Sequence, residues 1–316
     1  MKKLLLVLIA ALAATLIACD AAVVTTITTT EPPTTTTTAS TTTTTTTTTT
    51  SATTTSRPCK AVGFDYDENK LSYDLIWFDE FNSTTSTTPS ILKWTYQTGG
   101  GGWGNNELQY YTSGQNASVG DGLLTISARK ETIGENEYTS SRMNSGQSWT
   151  YVKIQVRAKL PQGAGTWPAI WMMPTHAAYG NWPNSGEIDI MEHVGTAMNR
   201  VHFSVHTERY NHKIGTQKTS VTTIAGVSTE FHVYEVEWLP DKIRFLVDGA
   251  VKWTYRPTDY LSCPTQKEWP FDKPFHLILN IAIGGWGGTP YAGFAEETME
   301  IDYVRVYQAM ELRGIR

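Results

Sequence analysis

The sequence predicts an all-β fold, a two-sheet sandwich of the jelly-roll type. Three observations carry this reading. Apolar residues recur with period two in short runs, no stretch sustains helical periodicity, and Gly- and Pro-rich segments separate the runs. All 11 Trp, 15 Tyr and 9 Phe lie beyond residue 59. That is enough apolar mass for one large core in a single domain spanning residues 59–316. Charge narrows the function classes: 25 Lys+Arg against 30 Asp+Glu leave a net charge of −5. Without a clustered basic surface this speaks against nucleic acid as a partner. No apolar run after the leader reaches the length of a bilayer span.

Lys2 and Lys3 precede an apolar run from Leu4 to Ala18, the order of an export signal. Leu16-Ile17-Ala18-Cys19 resembles a bacterial lipoprotein box. Residues 1–18 are therefore read as a signal peptide, with Cys19 lipidated as an anchor that does not span the membrane. Ordinary cleavage with Cys19 incidental is the alternative. Residues 19–58 are mostly Thr, broken by Ser, Ala and Pro32-Pro33, and have too little apolar mass to offset ordering entropy. They are predicted to be a disordered tether. The protein is thus expected to be a monomer, displayed as a cell-surface or periplasmic lipoprotein. Cys59 and Cys263 remain, and an oxidising compartment allows them either to pair or to stay reduced. No Cys or His spacing suggests zinc.

The strands follow in order. Leu123 to Ala128 forms a short apolar run. Val152, Ile154, Val156, Ala158 and Leu160 alternate with Lys153, Gln155, Arg157 and Lys159, the pattern of a half-buried strand. On the segment from Arg200 to His206, His202, Ser204 and His206 alternate with Val201, Phe203 and Val205, leaving one face polar. Tyr234, Val236 and Trp238 alternate with Glu235 and Glu237, and Ile243 to Tyr255 reads as a hairpin around Asp248-Gly249. Leu277–Ile283 and Ile301–Tyr307 complete the series. Trp77, Trp94, Trp238 and Trp253 sit in or beside apolar strand patterns and are expected in the core.

The segment Ser185-Gly186-Glu187-Ile188-Asp189-Ile190-Met191-Glu192-His193-Val194 is the most informative. Glu187 and Asp189 are two apart and share a strand face, whereas Glu192, five from Glu187, would point away. One extra residue, most simply at Met191, makes a β-bulge and returns Glu192 to the acidic face. Three crowded carboxyl groups cannot all ionise, so at least one keeps a proton toward neutral pH. A charged carboxylate beside a protonated one is the division of labour that glycoside hydrolysis needs. The competing reading is an edge strand with merely solvated acids.

Glu187-Ile188-Asp189-Ile190-Met191-Glu192 resembles the bulged signature of glycoside hydrolase family 16. Gly101-Gly102-Trp103-Gly104-Asn105-Asn106-Glu107-Leu108-Gln109-Tyr110-Tyr111, Thr166-Trp167-Pro168-Ala169-Ile170-Trp171-Met172 and Trp269-Pro270-Phe271 are similar to stretches of its laminarinase branch. So are the segments from Phe275 to Asn280 and from Gly284 to Gly288. The likeness runs from about Trp77 to Gln308. It departs at Gly284-Gly285-Trp286, which lacks an Asn often found before that Trp.

The resemblance implies a jelly roll with a concave sugar cleft and retention of anomeric configuration, with Glu187 as nucleophile, Glu192 as acid/base and Asp189 assisting. It also implies substrate contacts from Asn105, Arg142 and His206. Trp103, Trp167, Trp171 and Trp182 are candidate sugar platforms, since flat rings suit the C–H faces of pyranoses. No cofactor is expected for catalysis, and a structural Ca2+ is expected at Glu80, Gly122 and Asp302. The expected partner is a β-1,3-glucan polysaccharide, cleaved internally. Mixed-linkage glucan or agar as substrate, or a non-catalytic glucan-binding role, are the alternatives. Binding relatives typically lose a catalytic Glu, and this chain keeps both.

Overall fold

The computed structural model describes residues 66–314. The leader, Cys19, the Thr-rich segment and Cys59 lie outside the described residues. Cys263 is disulfide-bonded. Among the described residues no helix is long and apolar enough to cross a membrane.

The described residues form seventeen strands joined by loops and single 3-10 turns. In chain order these are β1 (Tyr73–Asp79), β2 (Trp94–Tyr96), β3 (Gln109–Tyr111), β4 (Ala117–Gly120), β5 (Leu123–Arg129), β6 (Tyr138–Ser140), β7 (Arg142–Trp149), β8 (Lys153–Lys159) and β9 (Thr166–Pro174). Then come β10 (Glu187–His193), β11 (Arg200–His206), β12 (Lys218–Thr223), β13 (His232–Trp238), β14 (Ile243–Val247), β15 (Ala250–Tyr255), β16 (Phe275–Ile283) and β17 (Glu296–Ala309). One sheet has seven strands in the order β12-β11-β10-β9-β16-β7-β2. The other has ten: β15-β14-β13-β8-β17-β5-β6-β3, with β1 also on β17 and β4 on β5. Pairing is antiparallel except between β3 and β6.

Alternation decides which side chains enter the core. On β8 every second residue is buried, and Ile154, Val156 and Ala158 have no exposed surface. Leu277, Leu279, Ile281 and Ile283 on β16 and Val201, Phe203 and Val205 on β11 join the same hydrophobic cluster from the seven-stranded sheet. Trp94 and Trp238 are fully buried and Trp77 nearly so, as expected. Trp253 is only half-buried, its ring stacked on Phe245 at 5.1 Å. The predicted hairpin is β14–β15, and Asp248 and Gly249 take φ of 51° and 74° in its turn.

Gly195 is packed where no side chain fits. Its N–H donates to Thr166 O at 3.0 Å, clamping the segment after β10 to the start of β9. A Cβ there would lie 1.9 Å from Gly163 O and 2.5 Å from Gly163 C. Both contacts are backbone, so neither can swing aside. Gly195→Ala should therefore destabilise the domain by about 1–3 kcal/mol, a drop of roughly 2–10 °C in the thermal midpoint. An unchanged melting curve would show that the Gly163–Thr166 turn yields.

Candidate active site

The outward face of the seven-stranded sheet is where polar chemistry gathers. Against β9, the register of β10 shifts between Asp189 and Met191. Against β11, Asp189 faces Ser204 and Glu192 faces His202. One extra residue is thus present, as the spacing requires. On the β9 side it is Ile190 that lacks a partner, one position earlier than expected, because Met191 still pairs with Ile170. Ile188, Ile190 and Met191 all have no exposed surface and lie in the core cluster. Burying both residues of the bulge leaves Glu187, Asp189 and Glu192 together on the outer face.

Each glutamate is held by an indole N–H. Trp182 Nε1 donates to Glu187 Oε2 at 2.6 Å, and Trp167 Nε1 donates to Glu192 Oε1 at 3.0 Å. His206, opposite Glu187 on β11, brings Nε2 to 3.3 Å from Asp189 Oδ2 and 3.8 Å from Glu187 Oε1. The shorter approach is not aligned as a hydrogen bond, and Asp189 Oδ2 has no hydrogen-bond partner. Among the described residues, Glu187, Asp189 and His206 are also the one group of donor atoms close enough together to hold a metal ion.

All three carboxyl groups are pushed above the ordinary range. Burial is the main cause for Glu187, at about 8, with the neighbouring Asp189 charge adding to it. Burial also raises Glu192, to about 7, against the opposing pull of His206. Asp189, only 2% exposed, is pushed well up by burial and by the Glu192 charge. The trio titrates as a unit and carries fewer than three charges at neutral pH.

The other predicted residues divide between two walls. At the Glu187 end, Trp182 contacts the rings of His206 at 5.9 Å and His212 at 4.9 Å, and Lys213 Nζ lies 4.8 Å from its centroid. Its ring is thus in company with basic side chains, while its N–H serves Glu187. At the other end Arg142 stacks between Trp103 and Trp171, 4.8 and 4.6 Å from the ring centroids. Burial pulls the Arg142 pKa down, while the nearby Tyr111, Glu107 and Glu187 oppose the shift. Asn105 Nδ2 donates to Glu107 Oε1 at 3.2 Å.

Three participants escaped the sequence reading. Trp286, 44% exposed, sets its ring edge-on to Trp167 at 5.5 Å and His202 at 4.8 Å. Asn280 accepts from Trp171 Nε1 at 2.7 Å. It could have been found as the polar member of the outward set on β16, between Ile278 and Ala282. Glu107 collects hydrogen bonds from three side chains, and nothing in its local sequence signals that.

The expected calcium residues lie on the other sheet, away from these walls. Ile301 faces Leu124, two residues after Gly122, and Asp79, next to Glu80, faces Val304. Between Ile301 and Tyr303 the strand shifts register at Asp302. Both Glu80 carboxylate oxygens are taken by Arg305 at 2.8 Å, and Asp302 Oδ2 accepts from Arg157 at 2.5 Å. For a cation this leaves backbone carbonyls and the second Asp302 oxygen, a mixed oxygen set that suits a hard ion.

Comparison with known proteins gives the same assignment along most of the domain. The family model for "Glycosyl hydrolases family 16" matches residues 104–305. A protein named "Beta-glucanase" from Rhodothermus marinus is 47% identical over 266 residues, covering 80% of this chain and 91% of its own length. "Glucan endo-1,3-beta-glucosidase" from Cryptopygus antarcticus is 38% identical, covering 73% of this chain and 90% of its own. The X-ray structure of the laminarinase from Rhodothermus marinus superposes with a TM-score of 0.73 at 45% identity, over 77% of this chain and 100% of that one. A matched family model, extensive identity and the acidic bulged strand agree: the chain belongs to glycosyl hydrolase family 16.

Proposed function

We propose that the chain is an endo-β-1,3-glucanase that hydrolyses laminarin-like β-glucans with retention of configuration. The observation that carries this is the carboxyl trio on one sheet face, each glutamate fixed by its own indole N–H, in a chain whose relatives bear glucanase names. Glu187 attacks the anomeric carbon while Glu192 gives its proton to the glycosidic oxygen. The C–O bond breaks, leaving the sugar esterified to Glu187. Glu192, now charged, takes a proton from water as that water attacks the anomeric carbon and releases Glu187.

Attack requires Glu187 to be charged, although burial favours its neutral form. Trp182 and His206 both support the charge. Asp189 completes the arrangement by holding a second proton beside that of Glu192. A neutral Asp189 no longer repels Glu187, and its hydroxyl donates to the nucleophile in place of competing with it. Glu192, with its pKa near 7, is then the group that delivers and recovers a proton.

The leader and Thr-rich segment support a lipid-tethered enzyme, a cell-surface or periplasmic lipoprotein, which we read as a monomer. Calcium takes no part in the chemistry. Bound by Asp302 and the Glu80 and Gly122 carbonyls, it would tie β1, β5 and β17 together. Added Ca2+ should raise the thermal midpoint and chelator lower it, with kcat unchanged; identical melts with and without chelator would remove calcium from the reading.

The function itself is tested by incubating the protein with laminarin, lichenan and agarose and sizing the products over time. A ladder of short oligosaccharides from laminarin is expected. Binding of laminarin without any product would make the chain a glucan receptor.

Glu187→Gln should cut turnover by at least about a thousandfold, and it should also stabilise the fold. A buried carboxyl raised from 4.5 to about 8 costs nothing below pH 4.5. Its cost grows as pH rises and is complete above pH 8. The variant should therefore melt above the wild type by a few degrees at pH 8 and converge with it near pH 4. A constant offset across that window would contradict the burial of a titrating group.

Trp167→Phe removes the N–H that favours the charged form of Glu192. The Glu192 pKa should rise, moving the alkaline limb of kcat/KM to higher pH. A limb that stays put or moves down would detach Trp167 from the proton donor.

A further inference from the structure

The wall around Arg142 is organised from a residue that touches neither the acids nor the open cleft. Glu107 is 7% exposed, and its carboxylate accepts from Asn105 Nδ2 at 3.2 Å, Gln109 Nε2 at 2.6 Å and the Tyr111 hydroxyl at 3.1 Å. Tyr111, which has no exposed surface, receives at that hydroxyl the Asn280 Nδ2 donor at 3.0 Å. Asn280 Oδ1 in turn takes the Trp171 N–H at 2.7 Å. Every donor along this chain points toward Glu107.

That polarity has a physical reason. An indole N–H can only donate and a carboxylate can only accept, so the two ends fix the direction of the two groups between them that could face either way. The same carboxylate reaches the second ring through packing. Trp103 meets the Tyr111 ring edge-on at 5.1 Å while its N–H is held by Gly99 O at 3.0 Å. A third link runs to the loop bearing Trp286. Gln109 Oε1 takes the Ile283 N–H at 2.7 Å, and Glu107 bridges Gly284 through the backbone. Arg142 lies stacked between the two tethered rings with its Nε buried and unpartnered.

We propose that Glu107 is a positioning residue for polysaccharide recognition: through Tyr111 and Asn280 it orients Trp171 and Trp103, and through that clamp it presents the Arg142 N–H groups to a sugar hydroxyl. The proposal rests on the glucan-cleft reading above. Glu107 does not contact the reacting atoms and acts on binding. A Gln at 107 carries no charge and keeps one acceptor oxygen: its NH2 group falls either in the place of Oε2, against both the Gln109 amide and the Tyr111 hydroxyl, or in the place of Oε1, against the Asn105 amide. Either way the relay loses the charged acceptor that fixes its end, and Trp171 is held less firmly against Arg142.

The test uses the full chain with Glu107→Gln, Tyr111→Phe and Trp171→Phe, and the Glu107→Gln/Trp171→Phe double variant. Steady-state kinetics on laminarin are combined with affinity electrophoresis in laminarin gels, which reads binding whether or not the chain turns over. Glu107→Gln is expected to raise KM and weaken gel retardation by about tenfold, with kcat within about twofold. The double variant should lose no more than the worse single one, since both break the same relay. If Glu107→Gln does not fold, Tyr111→Phe decides by the same KM and retardation readings, because it removes one hydroxyl and leaves the volume nearly unchanged. An unchanged KM in the folded variant, an equal loss in kcat, or additive losses in the double variant would each overturn the proposal. A wild type that neither cleaves nor binds laminarin would instead defeat the glucan reading and this proposal with it.

Discussion

A strand with strict two-residue alternation cannot put Glu187 and Glu192 on one face, and the remaining features of the site depend on the extra residue that allows it. The bulge leaves Ile190 without a partner on β9 yet keeps both Ile190 and Met191 inside the core. That burial is what prevents the strand from sliding by one residue. A slip would expose two large apolar side chains and bury a carboxylate, a cost of several kcal/mol on the ordinary scales of apolar transfer and ion desolvation. The apolar half of β10 therefore fixes the register that its acidic half uses.

The second constraint is charge. Three carboxyl groups on one buried face repel, and among the described residues no Lys or Arg forms an ion pair with them. What surrounds them instead are two indole N–H groups and the ring of His206. Such partners stabilise a carboxylate less than an arginine would, so the acids stay poised near neutrality and do not become permanently ionised. Glu80, next to β1 of the ten-stranded sheet, makes the contrast within the same chain. Arg305 grips Glu80 through both oxygens and holds its carboxyl below the usual range, which suits a structural group and would disable a proton donor.

Much of this was legible in the sequence because period-two patterning is local. β8, β11, β13 and the β14–β15 hairpin fell where their alternation placed them, and the five-residue spacing from Glu187 to Glu192 required a bulge. The position of the bulge was not legible to the residue, since Ile190 and Met191 are equally apolar and only the partner strand distinguishes them. Trp182 shows a different limit. Its Gly/Pro-rich surroundings carry no sign of the loop, more than twenty residues away, that brings His212 and Lys213 beside its ring. Glu107 is the extreme case. Its partners at 105, 109 and 111 alternate along one stretch, but the residue that gives the relay its purpose, Asn280, is far away in sequence. Pairings of that kind have no local signature.

Chemistry and recognition are consequently held by different physical means. The acids sit on a central strand flanked on both sides, where backbone hydrogen bonds and core packing fix them. The wall at Arg142 takes Arg142, Trp171 and Asn280 from β7, β9 and β16 and Trp103, Asn105 and Glu107 from the segment before β3, and side-chain hydrogen bonds that begin at an indole and end on a buried carboxylate join the two parts. The hydrogen bonds of that wall end on Glu107 and do not reach Glu187 or Glu192. It is coupled to them by charge, since Glu187 and Glu107 both act favourably on Arg142, and by strand pairing, since Trp171 lies opposite Asp189 across β9 and β10. A substitution at the Glu107 end of the wall, far from that pairing, therefore falls first on binding and reaches the reaction through the electrostatic field that Arg142 casts on the nucleophile.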